Sequence, residues 1–349
     1  MKKLRVLFPI LTLMLAALFS FNAAAEEKTE YDVRALIWKY DDTYGSSVRQ
    51  AMEKYAKEVG DELGITINLT MYDAADDMSK QVEQANQIVG ENPDFVIINL
   101  AEVASGQTLV DLFTANDIPF LFYNKEPSEE TVQSVVVDSG SIFIGTTPRE
   151  AGDMQGEILY DLWNADPDAI DLNGDGTIQF VEFEGEPNNP EAIARTQYSE
   201  ETAKALGVPL EMVTEIIVAN WDSTQANDKM LATWSAHPEI EVVFANNDDM
   251  AIGVIAALNQ SGYNTGNEGD PAITVIGVDA TDAAFEAIKA GKMTATVQQD
   301  GDAMGKANIR IAANYLLNGT WLDGLEADYP LAADGYSVRI PYAKITDVE

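Results

Sequence analysis

The chain has 349 residues and 46% hydrophobic content, enough for two ordinary domains with their own cores. It contains no cysteine, which excludes a disulfide framework, thiol catalysis and a lipid-modified cysteine at a processing site. The formal charge of −37 repels phosphate backbones and argues against nucleic acid as a partner, while the ordinary apolar content argues against disorder.

The first segment reads as an export leader. Lys2, Lys3 and Arg5 precede the short apolar run "VLFPILTLMLAALFSF", and Ala23-Ala24-Ala25 fits a cleavage site before Glu26. Residues 1–25 are therefore expected to be removed. The leader holds three positive residues and no acid, so the mature chain carries −40. No other apolar run could span a bilayer, and the expected location is the periplasm.

Past the leader, apolar runs alternate with helical patterns. "RALIWKY" reads as a strand, and the next helix puts Val48, Met52, Tyr55, Ala56 and Val59 on one face. "ITINLTMY", "DFVIINL", "IPFLFYN", "TEIIVAN", "IEVVFANND", "ITVIGVDA" and "MTATVQQD" continue the alternation. Continuous Val, Ile and Phe runs indicate strands buried on both faces, hence parallel sheets covered by helices. Around ten such units exceed one ordinary sheet, so the expected class is α/β with two doubly wound parallel-sheet lobes.

In such sheets ligands bind beyond the carboxyl ends of the strands. Those ends carry Asp42 with Tyr44, then Asn99, Asn124, Trp221, Asn247, Asp279 and Gln299. Each also has a plainer reading. Asp42 and Asn247 can cap helices, Trp221 can be a core aromatic, and Glu191 with Arg195 can be a surface pair four residues apart. As a set, they describe a cleft lined by planar hydrogen-bonding groups and two aromatic plates, suited to a pyranose.

Between the strands lies "DLNGDGTIQF". Asp171, Asn173, Asp175, Thr177 (through its carbonyl) and Gln179 have the spacing of a calcium loop. Glu182 occupies the twelfth place. If 178–184 is a strand, however, Glu182 moves about 10 Å beyond Gln179, at roughly 3.3 Å per residue. A carboxylate from elsewhere must then complete the shell. A plain Asn-Gly/Asp-Gly turn explains the glycines but not the alternating oxygens.

The stretches "KYDDTYGSSVRQA", "FYNKEPS", "GTTPREAGDMQGE", "DLNGDGTIQFVEFEGEP", "ANWDSTQANDKM" and "IEVVFANNDDMAIG" closely resemble the periplasmic glucose/galactose-binding proteins that feed ABC importers. The resemblance covers essentially the whole mature chain and implies the type I periplasmic binding fold. It implies lobes of 31–118 plus 300–338 and of 119–299 plus 339–349, with crossings near Pro119, Gln299 and Arg339. It assigns sugar contacts to Asp42, Tyr44, Asn99, Asn189, Glu191, Arg195, Trp221, Asn247, Asp279 and Gln299. Asn189, Glu191 and Gln299 depart from the family's residue types. The missing calcium ligand falls, by resemblance, on Glu241. The implied partners are a monosaccharide, transporter membrane subunits and, as a further candidate, a chemoreceptor, with the protein acting as a monomer.

Three other readings compete. Asp42, Glu191 and Asp279 could flank a glycosidic bond in a hydrolase. A sugar-responsive regulator would share the two-lobe build, but would need a basic DNA-binding head. A pentose or autoinducer receptor would share the fold and differ in ligand.

Overall fold

A computed structural model describes residues 28–134 and 140–348; the leader reading at 1–25 lies outside them. The first lobe opens with β1 (Glu30–Ile37), α1 (Thr43–Leu63), β2 (Thr66–Asp73), α2 (Met78–Glu91) and β3 (Phe95–Ile98). It continues through α3 (Gly106–Thr114), β4 (Phe120–Tyr123), α4 (Glu129–Ser134) and β5 (Ile142–Gly145). The second lobe begins with α5 (Pro148–Ala165), β6 (Ile178–Glu184), α6 (Pro190–Leu206), β7 (Leu210–Met212) and β8 (Ile217–Val218). It then takes α7 (Ser223–Ala236), β9 (Val242–Ala245), α8 (Asp248–Gln260), β10 (Thr274–Asp279), α9 (Asp282–Lys289) and β11 (Ala295–Gln299). The chain returns to the first lobe for α10 (Gly301–Asn318) and β12 (Ser337–Arg339), and ends with β13 (Tyr342–Ile345) in the second.

Two sheets result, ordered β12-β5-β4-β3-β1-β2 and β13-β11-β10-β9-β6-β7, with β8 beside β6. All pairs are parallel except β11–β13. In the first lobe one sheet face packs on α1 and α10 through Val48, Met52, Ile97 and Ile311. The opposite face packs on α2 and α3 through Ile88, Ile98, Leu109 and Phe113. The second sheet is covered in the same way by α7 and α8 on one side and α5 on the other. Burial on both faces is why these strands lack polar alternation.

The first crossing falls later than Pro119. β4 pairs with β3 (Val96↔Phe120, Ile98↔Phe122) and β5 pairs with β4 and β12, so the chain leaves the first lobe only after Gly145. The four-residue strand "IFIG" carries too short an apolar run to stand out in the sequence. The other crossings follow Gln299 and Arg339, and Arg339 itself ends β12 in the first sheet. At the hinge, Ile340 N donates to Gly145 O at 2.7 Å and Arg339 Nη1 to Thr146 O at 2.6 Å. "TEIIVAN" contributes only two residues of strand, Ile217 and Val218.

Candidate functional site

Where the two lobes face each other, a cleft of about 410 Å³, part of it open to solvent, is lined by Asp42, Tyr44, Asn189, Glu191, Arg195, Trp221, Asn247, Asp279 and Gln299. Asn99 is buried but does not line it; its side-chain oxygen accepts from Lys125 N at 3.4 Å. Trp38, Asn124 and Lys125 complete the wall. Asn124 is one of the strand-end polar groups read from the sequence; Trp38 and Lys125 are not. An indole at the end of β1 and a lysine directly after Asn124 were the available signals.

Three of the helix caps also line the cavity. Asp42 caps α1 by accepting from Gly45 N, Asn189 caps α6 from Glu191 N, and Asn247 caps α8 from Met250 N. Each cap satisfies an orphan amide of its helix and holds a planar polar group at the cavity wall. The partly positive helix N-termini thus converge on one space. Burial raises Asp42 to about 6, with Asp249 adding to the effect against the Gly45 amide.

Arg195, 3% exposed, organises the second lobe's half. Its Nη1 donates to Asn246 O at 2.7 Å, and Nη2 donates to Gln299 Oε1 at 2.9 Å and to the Tyr342 hydroxyl at 2.8 Å. Burial alone would lower its affinity for the proton. Tyr342, Glu191 and Asp279 outweigh that, so it stays charged. The Glu191–Arg195 pair forms at 3.6 Å but is buried, not on the surface, and Thr146 Oγ1 and the Tyr342 hydroxyl donate to the two Glu191 oxygens at 2.6 and 2.9 Å. Asp279, at 3.8 Å from Arg195, is pushed well above the usual carboxylate range, mainly by burial and further by Asp248, against the pull of Arg195.

Among the described residues, three buried polar atoms in the lining have no protein partner: the Tyr44 hydroxyl, Arg195 Nε and Trp221 Nε1. Such groups cost about 1–3 kcal/mol each when left unmatched, so the wall is built for a ligand that supplies hydrogen bonds. Trp221 is held by a left-handed backbone at Asn220 and Trp221 (φ 51° and 62°) and lies against Gly185. Across the cleft it packs with Trp38, Ala74 and Ala101 of the first lobe.

Lys125 bridges the lobes. Its Nζ donates to Glu186 Oε1 and Oε2 at 3.0 and 2.9 Å and to Ala101 O at 3.0 Å, and sits 3.8 Å from the Trp38 ring centroid. The ammonium thus faces both oxygens of one carboxylate, a carbonyl and an indole face. Burial lowers the pKa of Lys125 and Glu186 opposes that. A second cross-lobe contact joins Thr43 Oγ1 to the Asp249 carboxylate at 2.8 Å.

The oxygen-rich loop precedes β6, whose range, Ile178–Glu184, puts Glu182 inside the sheet. There Glu182 is fully buried and accepts from Ser199 at 2.5 Å. Glu241 instead reaches the loop: its two oxygens accept from Asn173 N at 3.1 Å and Gln179 N at 3.2 Å. Asp171 accepts from Gly174, Asp175 and Gly176 amides, Asn173 from Asp175 N, and Asp175 from Thr177 N. Gly174 and Gly176 take φ of 72° and 83°, which favours glycine. Among the described residues no three His, Cys, Asp or Glu side chains form a ready cluster for a metal.

Residues 35–320 match a family model described as a periplasmic binding protein domain. The D-galactose/methyl-galactoside binding periplasmic protein of Haemophilus influenzae is 32% identical over 326 residues, covering 93% of this chain and 92% of the relative. A putative rhizopine-binding protein of Rhizobium meliloti is 30% identical, covering 85% and 87%. Among solved structures, a solute binding protein of Bacillus halodurans with bound myo-inositol superimposes with TM-score 0.72 at 24% identity, covering 92% of this chain and 96% of that one. The chain belongs to the periplasmic binding protein family and is a relative of its D-galactose-binding members.

Proposed function

We propose that this protein captures a neutral monosaccharide of the glucose or galactose kind in the periplasm and presents it to the membrane subunits of an ABC importer. The observation that carries the reading is the cavity shared by two lobes, with unmatched polar atoms on both: Tyr44 from the first, Arg195 and Trp221 from the second. A pyranose offers apolar faces to Tyr44 and Trp221 and hydroxyls to Asp42, Asn189, Asn247 and Asp279. Because it touches both lobes, it stabilises the closed form, and hinge bending admits and releases it.

The charge arrangement favours a neutral ligand. The Lys125 charge is offset by Glu186, and most of Arg195 is spent on Asn246, Gln299 and Tyr342. A sugar carboxylate would instead meet Asp42, Glu191 and Asp279. The hydrolase reading loses support for a related reason: both Glu191 oxygens already accept from Thr146 and Tyr342, leaving it poorly placed to handle a glycosidic proton. Relatives described as ribose import binding proteins make a pentose the second reading.

Calcium is proposed as a structural ion held by Asp171, Asn173, Asp175, the Thr177 carbonyl, Gln179 and Glu241. The donor set is entirely oxygen, as a hard cation requires, and Glu241 already contacts the loop. Bound there, the ion would supply positive charge that clips the loop to the start of β9.

Calorimetry against D-galactose, D-glucose, D-ribose, myo-inositol and D-galacturonate tests the function. We expect a hexose to bind at micromolar Kd or tighter, equivalent to about −8 kcal/mol, and galacturonate to bind far more weakly. Preference for the uronate, or steady hydrolysis of aryl glycosides, would overturn the reading.

A further inference from the structure

We infer that the Lys125–Glu186 pair is a latch between the lobes, a positioning contact that sets how long any bound sugar is retained rather than which sugar is chosen. This deepens the proposed function and rests on it for the ligand arm of the test. Lys125 follows β4 in the first lobe, and Glu186 lies in the loop between β6 and α6 in the second. Their contact therefore exists only when the cleft is shut. Lys125 is 3% exposed and held over the Trp38 ring, while the Glu186 side chain is 26% exposed at the rim.

On opening, Glu186 departs with the loop that ends in Asn189, the N-cap of α6, whose first turn holds Glu191, and Lys125 keeps only the Ala101 carbonyl and the indole face. Water then replaces the carboxylate at both charges. The latch is thus worth far less than a permanently buried pair, which suits a closure that must reverse. It also reads out to the binding wall. Adjacent Asn124 accepts from Gln299 Nε2 at 3.1 Å, and Gln299 accepts from Arg195, so the latch and the guanidinium share one hydrogen-bonded path. The ammonium's side-chain partner is Glu186 of the other lobe, so the pair acts first on closure.

Glu186→Gln is the main variant, at a partly exposed position that tolerates it, with Lys125→Met and the double variant completing a cycle. Stopped-flow measurement with each sugar that binds the wild type should show dissociation roughly 10–100-fold faster in Glu186→Gln, the loss expected for one charged hydrogen bond. Association should change little, and the ranking among sugars should be unchanged. The double variant should be no worse than Lys125→Met. Small-angle scattering of the ligand-free proteins should show the variants more open than wild type. Unchanged dissociation, a loss confined to one sugar, or identical ligand-free scattering would overturn the latch. If no sugar in the panel bound the wild type, the proposed function would fall while the scattering comparison still decided the latch.

Discussion

Gly185→Ala is the sharpest test of how Trp221 is placed. Gly185 follows β6 and lies against the indole. A Cβ there would sit 2.5 Å from Trp221 Cδ2 and closer still to Cε2 and Cζ2, where ordinary contact begins at 3.4 Å. The ring must therefore retreat by about 1 Å to restore a normal separation. It cannot retreat freely, because Trp38, Ala74 and Ala101 pack against it and its own backbone is fixed at φ 62°. Overpacking of this kind costs about 1–3 kcal/mol. Part of that appears as strain in the free protein and part as loss of the ring's fit to the sugar. Affinity should fall about tenfold, a change of about 1.4 kcal/mol, with the secondary structure intact. Calorimetry is the assay, since the chain holds five tryptophans and fluorescence would mix them. Trp221→Ala should do more, abolishing measurable binding. If Gly185→Ala bound sugar as tightly as wild type, the indole would not be a wall of the occupied site.

Three further outcomes follow from the same geometry. Asp42→Asn keeps the cap on α1 but removes a carboxyl raised from 3.8 to about 6; stability from the protonated acid is present below pH 4 and lost as pH rises to 6. Thermal melts should show the variant gaining on wild type across that window, and parallel curves would show that Asp42 does not titrate there. Tyr342→Phe removes the hydroxyl that donates to Glu191 and accepts from Arg195; a loss of about 1–3 kcal/mol should appear in denaturant melts, and an unchanged midpoint would mean the hinge-side network is redundant. Chelation should lower Tm while leaving sugar affinity largely intact, an effect worth about 2.7 kcal/mol with the ion at a hundredfold over its Kd. Glu241→Gln should abolish the calcium response and Glu182→Gln should not, and the opposite pattern would restore the helical-loop reading.

Most of the fold could be read from runs such as "DFVIINL" and "IEVVFANND", because strands buried on both faces must be apolar throughout. The position of the first crossing could not. Nothing in "IPFLFYN" says which sheet its hydrogen bonds join; only the register with Val96 and Ile98 does. The same limit applied to the site. Strand-end polar groups could be picked out individually, but Lys125 gains its meaning from Glu186, 61 residues away, and Tyr342 from Glu191, 151 away. Pairings of that range belong to lobe closure and sheet order, which local pattern does not encode.

The choice between Glu182 and Glu241 shows where sequence spacing stops and geometry takes over. Counting to twelve from Asp171 reaches Glu182, and in a helical continuation that residue would turn back toward the loop. Here the residues after Gln179 are "FVEFE", buried and β-paired with β9 through Phe180↔Val242 and Glu182↔Phe244. Extended backbone carries Glu182 away from the loop and turns it into the layer under α6, where Ser199 is its partner. Burial then raises its pKa well above the usual carboxylate range, and its side chain bonds to Ser199 in that layer and not to the loop. The same β6–β9 pairing brings Glu241, one residue before β9, alongside Gln179, whose carbonyl accepts from Glu241 N at 2.8 Å. The strand that removes one carboxylate from the loop is therefore what delivers the other.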